Sequence, residues 1–203
     1  MVSYDPESFD RPVRDYSFKD IDSPARLIDQ MSEAGGFTAS KLAKARGILS
    51  SMFEDSDKEG CVNWLSFPAA LCATGTRGFF LELIKRKLVH VVITTCGTLD
   101  HDLARTFKQY YHGDFNLDDV ALGKVGLNRL GNVVIPNECY GDILEQKVLP
   151  WLDEIGKERG SKSDSPWNGF GTVELCWAIG DRIKDDNSIC LLYTSPSPRD
   201  PRE

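Results

Sequence analysis

The chain has 203 residues, 41% hydrophobic and 27% charged, the composition of an ordinary globular protein. Thirty-one acidic residues against 24 basic ones leave a net charge of −7, which argues against a nucleic-acid surface and suits a small cationic substrate. No apolar run approaches the roughly 20 residues that span a bilayer. The polar start also lacks the apolar centre of a signal peptide, so a cytoplasmic protein with no membrane partner is expected.

Residues 1–22 read as an N-terminal arm. From Ser23 the period becomes helical, with Ser23 as cap, Pro24 in the first turn and Leu27, Ile28 and Met31 as an apolar stripe; Gly35 and Gly36 stop it. A second helix is predicted over 39–52, with Leu42, Ala45, Ile48, Leu49 and Met52 on one face. Residues 61–67 form a short apolar run ending at Pro68, a predicted strand. Residues 69–87 are helical, interrupted at Thr74-Gly75-Thr76.

Residues 88–94 are β-branched and apolar on both faces, as in a central parallel strand covered by helices. A helix over 99–110, a strand over 132–136 and a helix over 143–155 follow. This alternation predicts an α/β fold built from βαβ units, with ligands beyond the carboxyl ends of the strands. After Ile189 three prolines fall within six residues, so 190–203 is expected to be a non-native or disordered tail.

Neither G-x-G-x-x-G nor a P-loop is present. Two other stretches lie where the topology rule places ligands. The first is 94–103, Thr-Thr-Cys-Gly-Thr-Leu-Asp-His-Asp-Leu, whose small and hydroxyl residues run from a strand into a helix and offer donors to an anionic or ribose-bearing ligand. It reads equally as an ordinary turn with Thr98 as N-cap and Asp100 favouring the helix dipole. The second is 66–77, where small residues either lie flat against a ligand or let two helices pack closely. Arg77 there could clamp a phosphate or form an ion pair.

Asp100, His101 and Asp102 are consecutive and splay around a helix, so no metal site is expected. The six cysteines lack C-x-x-C spacing and read as buried, reduced thiols acting as small hydrophobes.

Residues 65–115, with the run Thr94-Thr95-Cys96-Gly97-Thr98-Leu99-Asp100-His101-Asp102, and residues 126–141, with Asn128-Arg129-Leu130-Gly131-Asn132 and Pro136-Asn137-Glu138-Cys139-Tyr140, resemble deoxyhypusine synthases of the archaeal type. The resemblance extends over 17–189. It implies a Rossmann-like parallel sheet flanked by helices, incomplete at the C-terminus, with 23–189 as the N-terminal part of an NAD-binding domain. The implied reaction is NAD-dependent transfer of the aminobutyl group of spermidine to a lysine of translation initiation factor 5A. An enzyme lysine carries that group as an imine, and the implied assembly is a homotetramer with active sites across dimer interfaces.

By position, Ala69, Ala70, Leu71, Cys72 and Ala73 match the family's first NAD-contacting loop, and Thr95, Cys96 and Gly97 the second. Asp100 and His101 match the pair that meets spermidine and cofactor. Two departures from members of the eukaryotic type stand out: alanines replace the polar Ser and Asn of the first loop, and His101 replaces a second glutamate, which weakens attraction for a polyammonium ion. The family's catalytic lysine matches nothing in this chain, so the chain alone is expected to be inactive. Transfer to a small amine, as in homospermidine formation, and a non-catalytic NAD-binding subunit are the alternatives.

Overall fold

The computed structural model describes residues 11–56, 61–160 and 171–194. The chain divides into two compact units, Met1–Asn63 and Trp64–Glu203. The first is a helical hairpin of α1 (Pro24–Ala34) and α2 (Ala39–Asp55). Ser23 caps α1 by accepting from the Arg26 amide at 3.3 Å, Pro24 occupies the first turn, and Gly35 ends the helix in the left-handed region at φ 66°. The arm is tied down where it is described: Arg11 donates to Ser32 and Glu33, and Ser17 exchanges two hydrogen bonds with the Gln30 amide group.

The second unit begins with a parallel β-α-β unit. Strand β1 (Trp64–Phe67) leads through a 3-10 turn at Ala69–Ala73 into α3 (Arg77–Lys85), and β2 (Val91–Thr94) returns beside β1. The predicted interruption at Thr74 has a local cause. Its hydroxyl donates to the Leu71 carbonyl and accepts from the Thr76 amide, which ends one helical turn and sets up the next. Strand β2 starts three residues later than predicted because Lys87 and Leu88 close α3. Lys87 sits at φ 57°, its amide bonds Ile84, and the Leu88 amide reaches back to Leu83, the paired bonds of a Schellman motif.

The predicted strand at 132–136 is not part of that parallel sheet. It is β5 (Val133–Pro136) in an antiparallel sheet of order β3-β5-β4, with β3 at Tyr111–His112 and β4 at Leu127–Leu130; α5 (Asp119–Lys124) lies between β3 and β4 in the chain. Gly131 and Asn132 join β4 to β5, with Leu130 opposite Val133 and Gly131 at φ 63°. A two-residue connection can join only antiparallel neighbours, and it favours a residue tolerant of positive φ.

Helices α4 (Gly97–Phe107), α6 (Gly141–Gly160), α7 (Thr172–Gly180) and α8 (Ile189–Thr194) complete the unit. Phe67 and Phe80 stack with centroids 3.7 Å apart, within a cluster that includes Cys72, Leu81 and Ile189. A second cluster joins Leu103, Ile183 and Cys190. The tail expected from residue 190 therefore starts too early. Residues 190–194 continue a helix, Cys190 is 4% exposed, and Leu192 and Tyr193 pack on the first cluster, because this stretch is apolar where 195–203 is not. Residues 195–203 lie outside the described residues. Among the described residues no helix is long and apolar enough to cross a membrane.

Candidate active site

Phe67 and Thr94 are register partners at the carboxyl ends of β1 and β2, so the loops leaving the two strands begin side by side. Four hydrogen bonds hold them there. The Thr94 hydroxyl donates to the Phe67 carbonyl at 2.7 Å, and the Ala69 amide donates to Thr95 Oγ1 at 3.1 Å. From α4, Arg105 donates to the carbonyls of Cys72 at 2.8 Å and Thr74 at 2.6 Å. Two stretches separated by a whole helix thus form one floor.

Gly97 closes it: a Cβ built there would lie 3.0 Å from Ala69 Cβ. Glycine lets the helix start approach the 3-10 turn this closely.

Helix α4 begins at Gly97 with Cys96 at its N-cap, and no side chain caps it. The alternative cap, Thr98, lies inside the helix at 1% exposure, where its hydroxyl pairs with Thr94 at 2.6 Å. The Thr98 and Leu99 amides donate to the Thr95 and Cys96 carbonyls at 2.9 Å each, so what this start offers an anion is the partial positive charge of the helix end and the amides that precede Thr98. Thr95 and Cys96 are exposed there, as are Ala70 and Leu71 across from them. Cys72 and Ala73 differ, since their side chains face the core at 0% and 3% exposure. Those two shape the floor from beneath.

Asp100, His101 and Asp102 take three different directions. Asp102 is fully buried and accepts from Arg77 Nε at 2.7 Å, the Ser188 hydroxyl at 2.8 Å and the Cys190 amide at 2.9 Å. Arg77 is therefore ion-paired inside the unit. Asp100, in the first turn of α4, and His101, which follows it, remain half-buried. Asp100 accepts from the Tyr140 hydroxyl at 3.1 Å, and His101 Nδ1 lies 3.1 Å from the Tyr110 hydroxyl.

Burial holds the His101 imidazole below its ordinary pKa, against the opposing pull of Asp100, so it is neutral at pH 7. Burial, and after it the Asp100 carboxylate, pushes the Tyr140 phenol up to about 12, which keeps it a proton donor. Burial likewise raises Tyr110.

The family model for deoxyhypusine synthase matches residues 26–195. The chain belongs to the deoxyhypusine synthase family. A "probable deoxyhypusine synthase" of Picrophilus torridus is 47% identical over 183 residues, and one from Thermoplasma acidophilum is 43% identical over the same length; each alignment covers 90% of this chain and 55% of the relative. The chain thus spans about half the length of the curated relatives it matches. The crystal structure of a "putative deoxyhypusine synthase" from Entamoeba histolytica superposes with a TM-score of 0.55 at 21% identity, covering 90% of this chain and 60% of that one, a likeness of fold.

The structure brings Ala69, Thr95, Cys96, Gly97, Asp100 and His101 to one end of the parallel sheet. Sequence reasoning missed Arg105, Tyr110 and Tyr140, which support that group from 31 to 40 residues away (Arg105 to Cys72 and Thr74, Tyr140 to Asp100) or from the far end of α4 (Tyr110). Tyr140 closes the Pro136-Asn137-Glu138-Cys139-Tyr140 run that carries the resemblance; Arg105 and Tyr110 had no local signal.

Proposed function

We propose that this chain forms the NAD-binding part of an enzyme that transfers the aminobutyl group of spermidine to a lysine of translation initiation factor 5A. The observation that carries the reading is the latching of the Ala69–Ala73 turn to the Thr95-Cys96-Gly97 loop, with the Asp100 carboxylate nearly one turn further along α4. The residues fit a dinucleotide: small side chains line the floor, Gly97 leaves room, and the uncapped helix start favours a pyrophosphate. NAD, when bound, supplies reversible hydride acceptance. The protein's own part is to hold Ala69, Ala70, Leu71, Thr95, Cys96 and Gly97 against the cofactor, with Cys72 and Ala73 supporting them. The Asp100 carboxylate attracts an ammonium group of spermidine, and neutral His101 adds no charge to oppose it.

Lys85, Lys87, Lys108 and Lys124 are all exposed, and Lys85 donates to the Asn187 side chain at 2.9 Å. We place the imine-forming lysine in the region that the relatives carry beyond the matched segment, in a protein that assembles as a homotetramer. His101, in place of a second carboxylate, favours a second reading in which the acceptor or donor is another small amine.

The test incubates the 203-residue chain, and the chain extended by that C-terminal region, with NAD, labelled spermidine and the initiation factor. Label is expected in the factor only with the extended chain. Transfer by the shorter chain would overturn the placement of the lysine. Label appearing in a small amine instead would favour the second reading.

A further inference from the structure

We propose that Tyr140 is a positioning residue that sets the amine affinity of this site by holding the Asp100 carboxylate; the proposal rests on the reading of Asp100 given above. Tyr140 follows the turn at Asn137–Cys139, and the surrounding chain pins it. Its amide bonds the Asn137 carbonyl at 3.2 Å, its carbonyl accepts from the Leu144 amide at 3.0 Å to start α6, and neighbouring Cys139 is buried at 1% exposure. From this fixed backbone the phenol reaches across to α4 and donates to Asp100 Oδ2 at 3.1 Å. The same ring lies 5.2 Å from the His101 ring, tilted by 43°.

Among the described residues, Tyr140 is the group that orients this carboxylate, and Oδ1 is left for a ligand. An aspartate in a helix's first turn is otherwise free to rotate toward the helix's own amides, where it would serve the dipole and turn away from a cation. Tethering one oxygen to a neighbouring element removes that option. The other groups around the pair are His101 and Arg105 on α4 itself, Tyr110 at its far end, and Cys96 at its N-cap. None of these donates a hydrogen bond to Asp100.

The role separates from a merely structural tie by which constants move. In the full-length enzyme, Tyr140→Phe keeps the ring against His101 and removes only the donor. The Michaelis constant for spermidine is expected to rise about tenfold, the order of one hydrogen bond to a charged group. kcat, NAD affinity and melting temperature should stay near the parent values. Asp100→Asn should raise the same Michaelis constant, and adding Tyr140→Phe to it should change nothing further.

An effect of Asp100→Asn with no effect of Tyr140→Phe would overturn this proposal alone. No effect of Asp100→Asn would overturn the reading of Asp100, and this proposal with it. Equal losses in kcat, NAD affinity and melting temperature in Tyr140→Phe would show a structural tie and also overturn it.

Discussion

Replacing Gly97 with alanine tests whether the two loops form one floor. The added Cβ would lie 3.0 Å from Ala69 Cβ, closer than nine in ten real contacts, so the neighbour must give by a few tenths of an ångström. Ala69 is poorly placed to give. Its amide is bonded to Thr95 Oγ1, and its turn is held by Arg105 at Cys72 and Thr74. Overpacking of this kind costs about 1–3 kcal/mol. Alanine's better helix propensity offsets up to about 1 kcal/mol of that at the start of α4.

A net loss of about 1 kcal/mol follows, which lowers the melting temperature by about 2–4 °C for a chain of this size. If the parted loops are the cofactor floor, NAD affinity should fall by about five- to tenfold, since each 1.4 kcal/mol is tenfold. The assay is NAD titration and thermal melting of the parent chain, Gly97→Ala, Ala69→Gly and the double variant. Ala69→Gly removes the atom that is struck, so the double variant should recover most of the affinity that Gly97→Ala loses. Unchanged NAD affinity in Gly97→Ala would refute the floor. A double variant as weak as Gly97→Ala would refute the contact with Ala69 as the cause.

Asp102→Asn should cost about 3–5 kcal/mol of stability in denaturant unfolding, because it leaves the Arg77 guanidinium buried without its counter-charge; a loss below about 1 kcal/mol would show that the pair does not hold the core. Arg105→Met leaves the Cys72 and Thr74 carbonyls without their donor and should cost about 2 kcal/mol together with NAD affinity, with Arg105→Lys keeping part of both; equal NAD affinity in all three proteins would contradict the clamp. His101 has a lowered pKa in the fold, so the unfolded chain takes up its proton first. Stability should be fully present above the ordinary value near 6.5 and decline as pH falls below it, and melting curves from pH 7.5 to 5.5 should be flatter for His101→Gln; parallel curves would refute the assignment.

The parallel β1-α3-β2 unit was legible because its signals are local. Residues 88–94 are apolar on both faces, Pro68 ends β1, and the Thr74-Gly75-Thr76 break falls where the 3-10 turn meets α3. The antiparallel sheet was harder. Gly131-Asn132 between two runs is a hairpin signal, but β4 carries Asn128 and Arg129 and lacks a clear apolar alternation, and β3 is two residues long. Residues 190–194 were misassigned because the prolines after them dominate the local composition, while the burial of Cys190 depends on helices far away in the chain.

The site shows the same division at closer range. Which residues gather at the sheet's end follows from strand order and register, and both can be read from short segments. What each residue does there depends on its partner. Asp100 and Asp102 are two positions apart on one helix and chemically identical, yet they point about 160° away from each other around its axis, as a rotation of roughly 100° per residue requires. One meets Arg77 in the core and is spent on holding α4 in place. The other meets a tyrosine 40 residues later and stays half-exposed beside Thr95, Cys96 and Gly97. Helical geometry predicts that the two must diverge. Only the tertiary contacts decide which of them is buried in an ion pair and which stays half-exposed at the end of the sheet.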